Sequence, residues 1–154
     1  MNDSDPPRDV LVMLVDEVGR LNGRLKSGFA DARRSAGLGE SELTVLNAVV
    51  EAERPPTVSQ IGRSLGHARQ IVQRAANGLI AAGLIETLPN PDHKRAPLLR
   101  ATQTGLAKKV AIDGTGAEIA IRLAAGMDAD ALHRAVDNLR TVRKSLEVQL
   151  RGGN

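Results

Sequence analysis

The sequence contains no cysteine, no tryptophan and no tyrosine, and Phe29 is its one phenylalanine. The absence of cysteine excludes disulfide bonds, thiolate metal sites and cysteine nucleophiles. The scarcity of aromatic rings excludes binding of single-stranded nucleic acid by stacking bases on an aromatic sheet surface. The core therefore consists of Leu, Ile, Val and Ala side chains, a composition that suits helix packing.

Metal, membrane and secretion signals are also missing. The three histidines, His67, His93 and His133, lie far apart in the sequence without metal-ligand spacing, so we expect no metal and no cofactor. No apolar run approaches the roughly 20 residues of a membrane span, and we find no basic start followed by a long apolar run, as in a secretory signal. We expect a soluble, cytoplasmic protein without membrane contact.

Catalytic motifs are equally scarce. No glycine-rich fingerprint follows a strand, and the sequence gives no pattern for a Ser-His-Asp set. The run Asp113-Gly114-Thr115-Gly116 has some of the residues of a catalytic aspartate turn, but their order is wrong and the run lies in a helical stretch. We predict that the protein is not an enzyme.

The charge of the chain is concentrated in its middle third. The 154 residues carry a formal net charge of +3, and a chain of about 100–200 residues is expected to form one domain. Residues 54–100 hold seven Lys or Arg and two Asp or Glu, a net charge of +5, against −4 for residues 1–53 and +2 for residues 101–154. A basic segment of this kind indicates a polyanionic partner.

Both ends of the chain have the apolar spacing of amphipathic helices. One helix is predicted over residues 7–36, with a heptad-like stripe, and residues 104–150 are predicted to form two more, over 104–123 and 128–150. These stripes pack either within one subunit or against a second copy, and we favour a homodimer that buries both. The predicted dimerisation residues are Leu11, Leu14, Val18, Leu21, Leu132, Val136, Leu139, Val142 and Leu146.

The middle of the chain has the pattern of a helix-turn-helix. After a helix over residues 41–52, Thr57 and Gln60 have the spacing of a capping box, and a short helix to Leu65 ends at Gly66. A second helix is predicted over residues 68–82, ending at Gly83. Its predicted buried side chains are Val72, Ala75, Ala76, Leu79 and Ile80. Two short helices joined by a tight glycine-containing turn are typical of this DNA-binding motif.

The segment after Gly83 predicts a hairpin. Residues 84–88 and 97–101 have the pattern of strands, and the proline-rich connection between them has a basic tip. A helix of this size fits the major groove, where Arg reads guanine, Gln reads adenine and an apolar side chain contacts a thymine methyl. We predict that the helix reads bases through Arg69, Gln70, Ile71, Gln73 and Arg74. The predicted contacts of the hairpin tip are His93, Lys94 and Arg95, of which Arg95 is the favoured minor-groove residue.

The sequence resembles the MarR (multiple-antibiotic-resistance regulator) family of winged-helix transcription factors. The resemblance is carried by the runs at residues 61–66 and 69–74, the helix exit at 82–85, the hairpin at 90–96 and the run at 102–105. It implies a homodimer that binds a near-palindromic operator, usually as a repressor, and a small, commonly phenolic ligand whose binding residues we do not assign. Aromatic stacking on such a ligand would rest on Phe29. We assign Thr57, Arg63 and Ala68 to the DNA backbone.

Some positions depart from the family pattern. His93 stands where the family often has the aspartate that orients the wing arginine, so Arg95 is positioned differently or by Asp92. Ala68 stands where a serine usually caps the recognition helix and contacts a phosphate. Gly78 is unexpected inside a helix.

These observations predict a mostly α (α+β) fold. It is a winged helix-turn-helix with N- and C-terminal dimerisation helices, a single domain over residues 1–154 whose DNA-binding region is 38–103. The predicted function is sequence-specific binding of double-stranded DNA by a homodimeric transcriptional regulator, a repressor that a small-molecule effector releases. The alternative is a helical protein-interaction module on the same scaffold that has lost DNA binding, as Ala68 and Gly78 would favour.

Overall fold

The computed structural model describes residues 7–152, and its side chains over residues 8–150. Residues 1–6 and 153–154 of the predicted domain lie outside this range. The chain divides into two compact units, with the boundary between Ile119 and Ala120 inside a helix. The elements in chain order are α1 (Pro7–Gly28), α2 (Ala30–Ala36), α3 (Glu40–Glu51), α4 (Val58–Leu65), α5 (Arg69–Ala81), β1 (Ile85–Leu88), β2 (Leu98–Ala101), α6 (Gln103–Ala124) and α7 (Ala129–Gly152).

The prediction of one helix over residues 7–36 is wrong, because the chain forms two helices there. Phe29 separates α1 from α2 with φ −98° and ψ 14°, outside the α-helical region. It follows Gly28, and glycine is a weak helix former, so the end of α1 is a favourable place for the break. Gly37 ends α2 in the left-handed conformation, with φ +63°.

The core of the first unit lies between α3, α4, α5 and the two strands. Val72, Ala76 and Leu79 of α5 have no exposed surface and belong to the same buried cluster as Val45 and Leu46 of α3. The predicted burial of Ile80 is wrong, because its side chain is 37% exposed. Ile80 follows Leu79 by one residue, which places it about 100° further around the helix and away from the core.

The two strands form an antiparallel hairpin. Its register pairs Ile85 with Ala101 and Leu88 with Leu98. Across the exposed face of the hairpin, the guanidinium of Arg100 donates to Glu86 Oε1 from Nε at 2.9 Å and from Nη2 at 2.7 Å. This cross-strand ion pair joins directly opposite residues, which is the arrangement that stabilises a sheet.

The second unit comprises the end of α6 and the helix α7. Asp128 begins α7, because its carboxylate accepts a hydrogen bond from the Asp130 backbone N–H at 2.9 Å. One side of α7 carries a row of apolar side chains, of which Leu132, Val136, Leu139 and Leu146 are 38–46% exposed. This unit alone therefore leaves the row largely uncovered.

Neither a membrane-spanning helix nor a metal cluster occurs in the part of the chain that the structure describes. None of its helices combines the length and the apolar character needed to cross a bilayer. No three His, Asp or Glu side chains among the described residues gather as a metal site would require.

Candidate nucleic-acid interface

The turn between α4 and α5 is fixed by local hydrogen bonds at both ends of α4. Thr57 Oγ1 accepts from the Gln60 N–H at 3.2 Å, and Gln60 Oε1 accepts from the Thr57 N–H at 2.7 Å, which confirms the predicted capping box. At the other end Gly66 has φ +66°, and the His67 N–H donates to the Gly62 carbonyl at 2.9 Å. The orientation of α5 relative to α4 is therefore set by short-range contacts.

Small residues hold α5 close to α3. Ala75 and Ala76 are buried against α3 and α4 with the rest of the core, and Gly78 lies against the Glu42 carboxylate. Glu42 Oε2 also accepts a hydrogen bond from the Gly39 N–H at 2.9 Å at the start of α3. A Cβ at position 78 would overlap Glu42 Oε1. Gly78, unexpected from the sequence, thus has a packing role.

The outer face of α5 consists of the five predicted base-reading residues, and all of them are exposed. Burial of Val72, Ala75, Ala76 and Leu79 on the opposite side leaves this face outward; it comprises Arg69, Gln70, Ile71, Gln73 and Arg74. Ile71 is 49% exposed, although it is apolar. The Gln73 amide donates from Nε2 to Asn77 Oδ1 at 3.0 Å, which restricts the orientation of the Gln73 side chain.

The wing loop, residues 89–97, connects β1 to β2 and ends in a tight turn. The Ala96 N–H donates to the His93 carbonyl at 3.0 Å, so Lys94 and Arg95 occupy the two central positions of a four-residue turn. We call these two residues the wing tip. His93, Lys94 and Arg95 are all exposed.

The wing is attached to the helix-turn-helix. The Leu99 N–H donates to the Pro56 carbonyl at 2.8 Å, and Leu98 forms an isolated antiparallel bridge with Thr57. At the far end of β2, Thr102 Oγ1 donates to the Gly83 carbonyl at 2.6 Å and accepts from the Gly105 N–H at 3.0 Å. Hydrogen bonds therefore join the start of α4, the base of the wing and the start of α6.

The exposed cations of this surface are not neutralised within the described part of the chain. Among residues 8–150, no carboxylate forms an ion pair with the cations of the outer face, the wing tip or α4, which are Arg63, Arg69, Arg74, Lys94 and Arg95. Arg100, by contrast, is paired with Glu86. Asp92 does not pair with Arg95, so the suggestion that this carboxylate positions Arg95 is not supported.

The three residues assigned to the DNA backbone lie around the same motif. Thr57 is half-buried at the start of α4, and Arg63 is exposed near its end. Ala68 is exposed at the N-cap position of α5, where no side-chain hydrogen bond caps the helix. At this position, only backbone groups are able to donate a hydrogen bond to a phosphate.

A cavity of about 310 Å³ lies in the first unit, away from the outer face of α5. Its lining residues come from the α1–α2 junction, α2, α3 and α6, and they are Phe29, Ala32, Arg33, Leu43, Asn47, Ile112, Asp113 and Gly116. Asn47 Oδ1 is buried and has no hydrogen-bond partner. A buried acceptor without a partner costs about 1–3 kcal/mol, so this atom marks an unsatisfied position in the wall.

Charged groups surround this cavity. Arg33 Nη2 donates to the Lys26 carbonyl, and Arg33 forms no ion pair within residues 8–150. The Asp113 carboxylate accepts from Lys109, which is only 8% exposed and also lies 3.8 Å from Glu51 Oε1. Asp113 is thus already paired, and Arg33 is the cation of the cavity wall that retains free donors.

One carboxylate near the α1–α3 contact has a shifted pKa. The Lys26 ammonium donates to Glu40, with Nζ 2.8 Å from Oε1, and this hydrogen bond and charge hold the pKa of Glu40 below its ordinary value. Desolvation acts in the opposite direction, and the nearby Arg33 and His67 side chains lower the pKa further. The pair connects the end of α1 to the start of α3.

Sequence reasoning missed the polar residues that position others. Asn90 in the wing loop, Asn77 beside Gln73, Glu42 under Gly78 and Asn47 in the cavity wall were not singled out. The one available signal was the Asn90-Pro91 dipeptide, which favours turn initiation. The other three act through tertiary or helical contacts that no short motif reveals.

Comparison with known proteins supports the same architecture. The family model described as MarR family matches residues 36–96. An uncharacterized protein of Mycobacterium tuberculosis (strain H37Rv) is 37% identical over 142 residues, which cover 92% of this chain and 97% of that protein.

Solved structures agree with this assignment. A mutant of Escherichia coli MarR in complex with operator DNA has a TM-score of 0.75 at 19% identity, with 90% of this chain and 99% of that chain covered. The PcaV transcriptional regulator of Streptomyces coelicolor, in complex with its natural ligand, has a TM-score of 0.69 at 23% identity, with 95% and 99% covered. The capped helix-turn-helix, the attached wing and these similarities lead to one conclusion: the chain belongs to the MarR family and has its winged helix fold.

Proposed function

We propose that a homodimer of this chain binds double-stranded DNA sequence-specifically and regulates transcription, as a repressor that a small ligand releases from a near-palindromic operator. The observation that carries this proposal is the outer face of α5. Its cations and amides are exposed and free of internal carboxylates, while the opposite side of the same helix is buried. Such a helix presents hydrogen-bond donors and acceptors to base edges in the major groove.

The outer face supplies the chemistry of base recognition. Arg69 and Arg74 match the two acceptors of guanine, and Gln70 and Gln73 match the donor and acceptor of adenine. The hydrogen bond from Gln73 to Asn77 uses one N–H of the amide, and leaves its other N–H and its oxygen for a base. Ile71, exposed among these polar residues, is suited to a thymine methyl.

The wing and the helix starts supply contacts to the backbone and the minor groove. Lys94 and Arg95 at the wing tip carry two unpaired charges into the minor groove, where the negative potential attracts Arg, with His93 beside them. Thr57 at the start of α4 and Arg63 near its end contact the phosphate backbone of one DNA strand. Ala68 takes part through the backbone N–H groups at the start of α5, where the helix dipole favours an anion.

The dimer proposal rests on the uncovered stripes of α1 and α7. In α1, Leu11, Val18, Leu21 and Leu25 are 42–47% exposed, although leucine and valine at this spacing are typical of a packed seam. We assign residues 7–36 and 104–150 to dimerisation and residues 38–103 to DNA binding. A second copy would bury both stripes and would place two recognition helices about 34–36 Å apart, one turn of the duplex.

The effector proposal rests on the cavity beside Asn47. Arg33 can bind a carboxylate, Asn47 Oδ1 needs a donor such as a hydroxyl group, and Phe29 with Leu43 offers apolar surface. A small hydroxylated aromatic acid has all three features. Because α3 contributes Leu43 and Asn47 to the cavity and packs against α5 on its other side, a ligand that prefers one position of α3 would shift the population of DNA-binding conformations.

Selection of bound sequences from a random duplex pool tests the DNA-binding proposal. The expected product is a near-palindromic site with half-sites one helical turn apart, bound with an affinity that falls steeply with salt. The matched control is a duplex of the same length and composition in which the selected site is scrambled. Recovery of no common sequence, or binding insensitive to salt, would favour the alternative of a protein-interaction module.

A further inference from the structure

Asn90 joins the two sides of the wing loop with its side chain. Its amide nitrogen Nδ2 donates to the Ala96 carbonyl at 2.7 Å, and its oxygen Oδ1 accepts from the Asp92 N–H at 3.1 Å. The side chain is half-buried beneath the loop. Between the two bonded positions lie His93 and the wing tip.

The backbone groups that bond to the Asn90 amide determine which of its ends is the nitrogen and which is the oxygen. A carbonyl requires a donor and an N–H requires an acceptor, so the orientation of the Asn90 amide is determined without ambiguity. Aspartate at this position would keep the bond to the Asp92 N–H but would place an oxygen against the Ala96 carbonyl. Alanine would make neither bond.

The wing loop has few other hydrogen bonds that could define its shape. The strand register ends at the pair Leu88–Leu98, and Pro89, Pro91 and Pro97 have no N–H to donate. Within the described residues, the one backbone hydrogen bond inside the loop joins the Ala96 N–H to the His93 carbonyl at 3.0 Å. Asn90 therefore supplies two of the three hydrogen bonds that close the loop around the wing tip.

No carboxylate of the described residues contacts the side chains of the wing tip directly. Arg95 forms no ion pair with Asp92 or with any other carboxylate of residues 8–150. The direction in which Lys94 and Arg95 project is set by the backbone of the turn, and the turn is closed by Ala96. Since Ala96 receives the Asn90 hydrogen bond at its carbonyl, the side chain of Asn90 controls the tip.

We propose that Asn90 is the positioning residue of the wing, a side chain that fixes the Lys94–Arg95 turn in the conformation that enters the minor groove. The proposal rests on the proposed DNA-binding function. In this chain, Asn90 takes over the positioning role that a carboxylate partner of Arg95 would have. Asn90 acts through Arg95 and does not itself contact DNA.

The first experiment measures the loop without DNA. Trypsin cleaves after Lys94 and Arg95 only when the turn opens, so the cleavage rate at these two bonds, followed by mass spectrometry on the full chain, reports the closed loop. We expect Asn90→Ala to accelerate cleavage there about tenfold, which corresponds to a loss of about 1.4 kcal/mol of hydrogen bonding. The control Asn138→Ala, an exposed change on α7, is expected to leave this rate unchanged.

The second experiment measures coupling to Arg95 on a selected duplex. We expect Asn90→Ala to weaken binding about tenfold in the wild-type background and less than twofold in the Arg95→Ala background. In the Arg69→Ala background the full tenfold loss should remain, because Arg69 lies on α5. Asn90→Asp should lose most of the affinity as well, whereas the thermal midpoint of both variants should stay within a few degrees of the wild type.

The outcomes separate this proposal from the DNA-binding proposal. Wild-type cleavage rates in Asn90→Ala, or an undiminished loss of affinity in the Arg95→Ala background, would overturn the positioning role. Faster cleavage in a protein that binds no duplex would overturn the DNA-binding function and, with it, the role of the closed loop in binding. Faster cleavage together with a loss of affinity that depends on Arg95 supports both.

Discussion

Gly105, in the first turn of α6, lies directly against the backbone of Leu84. A Cβ at position 105 would be 3.3 Å from the Leu84 Cα and would overlap the Leu84 carbonyl oxygen. The same carbonyl accepts from the Thr102 N–H at 3.0 Å. The start of α6 can therefore approach Leu84, the residue before β1, only because position 105 lacks a side chain.

The first prediction concerns this contact. Gly105→Ala should reduce the free energy of unfolding by about 2 kcal/mol or more, because the overlapped atom belongs to the backbone and cannot rotate away. Gly114→Ala is the matched control, since it lies in the same helix with nothing within 4 Å of the added Cβ. It should stabilise the protein by about 0.5–1 kcal/mol. Chemical denaturation of the two variants measures the difference, and equal effects would contradict the described packing.

The second prediction concerns the outer face of α5. Arg69→Ala and Arg74→Ala should each weaken binding to a selected duplex by about 1–3 kcal/mol if the arginine reads a base, and should relax the preference at one position of each half-site. An arginine that contacts a phosphate should instead reduce the slope of log affinity against log salt by about 1. Fluorescence anisotropy at several salt concentrations distinguishes the two roles. Binding unchanged by both substitutions would remove α5 from the interface.

The third prediction concerns the uncovered apolar stripes. Leu21→Glu on α1 and Leu139→Glu on α7 should each convert a dimer into a monomer, because either change buries a charge in the proposed interface. Ser27→Glu is the control, since it adds the same charge to α1 at an exposed position on the side of the helix opposite Val18. Sedimentation velocity measures the oligomeric state. A wild-type protein that is monomeric at micromolar concentration would refute the dimer.

The fourth prediction concerns the wall of the cavity. Asn47→Leu replaces a buried oxygen that has no partner, so the free energy of unfolding should rise by about 1 kcal/mol. In the proposed effector site, hydroxylated benzoic acids bind the Asn47 amide, so the same change should abolish the release of DNA by these acids. Denaturation and a DNA-release titration measure the two effects separately. A more stable variant that still responds to the acids would place the ligand elsewhere.

The fifth prediction concerns the pH dependence of the Lys26–Glu40 pair. Because Lys26 lowers the pKa of Glu40 in the folded protein, the ion pair stabilises the fold above the ordinary glutamate pKa of about 4.3 and loses its effect as the pH falls through the lowered value. The difference in unfolding free energy between wild type and Lys26→Met should therefore shrink on acidification. Thermal unfolding at a series of pH values from neutral to acidic tests the trend, and a difference that grows toward low pH would contradict it.

The local elements of the fold were largely predictable from the sequence. The Thr57–Gln60 capping box, the left-handed Gly66 and the exposed outer face of α5 each depend on residues close together in the chain, and the structure contains all three. The break at Phe29 was not predicted, because the apolar spacing continues through it from Leu25 to Phe29, Ala32 and Ala36.

The positioning contacts were beyond prediction for a different reason. The Asn90 hydrogen bonds depend on the conformation of a loop with three prolines. The contact between Glu42 and Gly78 joins α3 and α5, and no sequence pattern predicts how closely these two helices approach each other. Asn47 reads as an ordinary polar residue of α3 in the sequence, and only the folded chain encloses its oxygen. These features arise from tertiary geometry.

The division of α5 into a buried packing side and an exposed side has an evolutionary consequence. The side chains that hold the helix in place are Val72, Ala75, Ala76 and Leu79, whereas those that project outward touch nothing in the interior. Substitutions on the outward side therefore leave the free energy of unfolding nearly unchanged. If the outward side chains read DNA as proposed, paralogues with this scaffold can acquire new target sites through a few codon changes without first gaining additional stability.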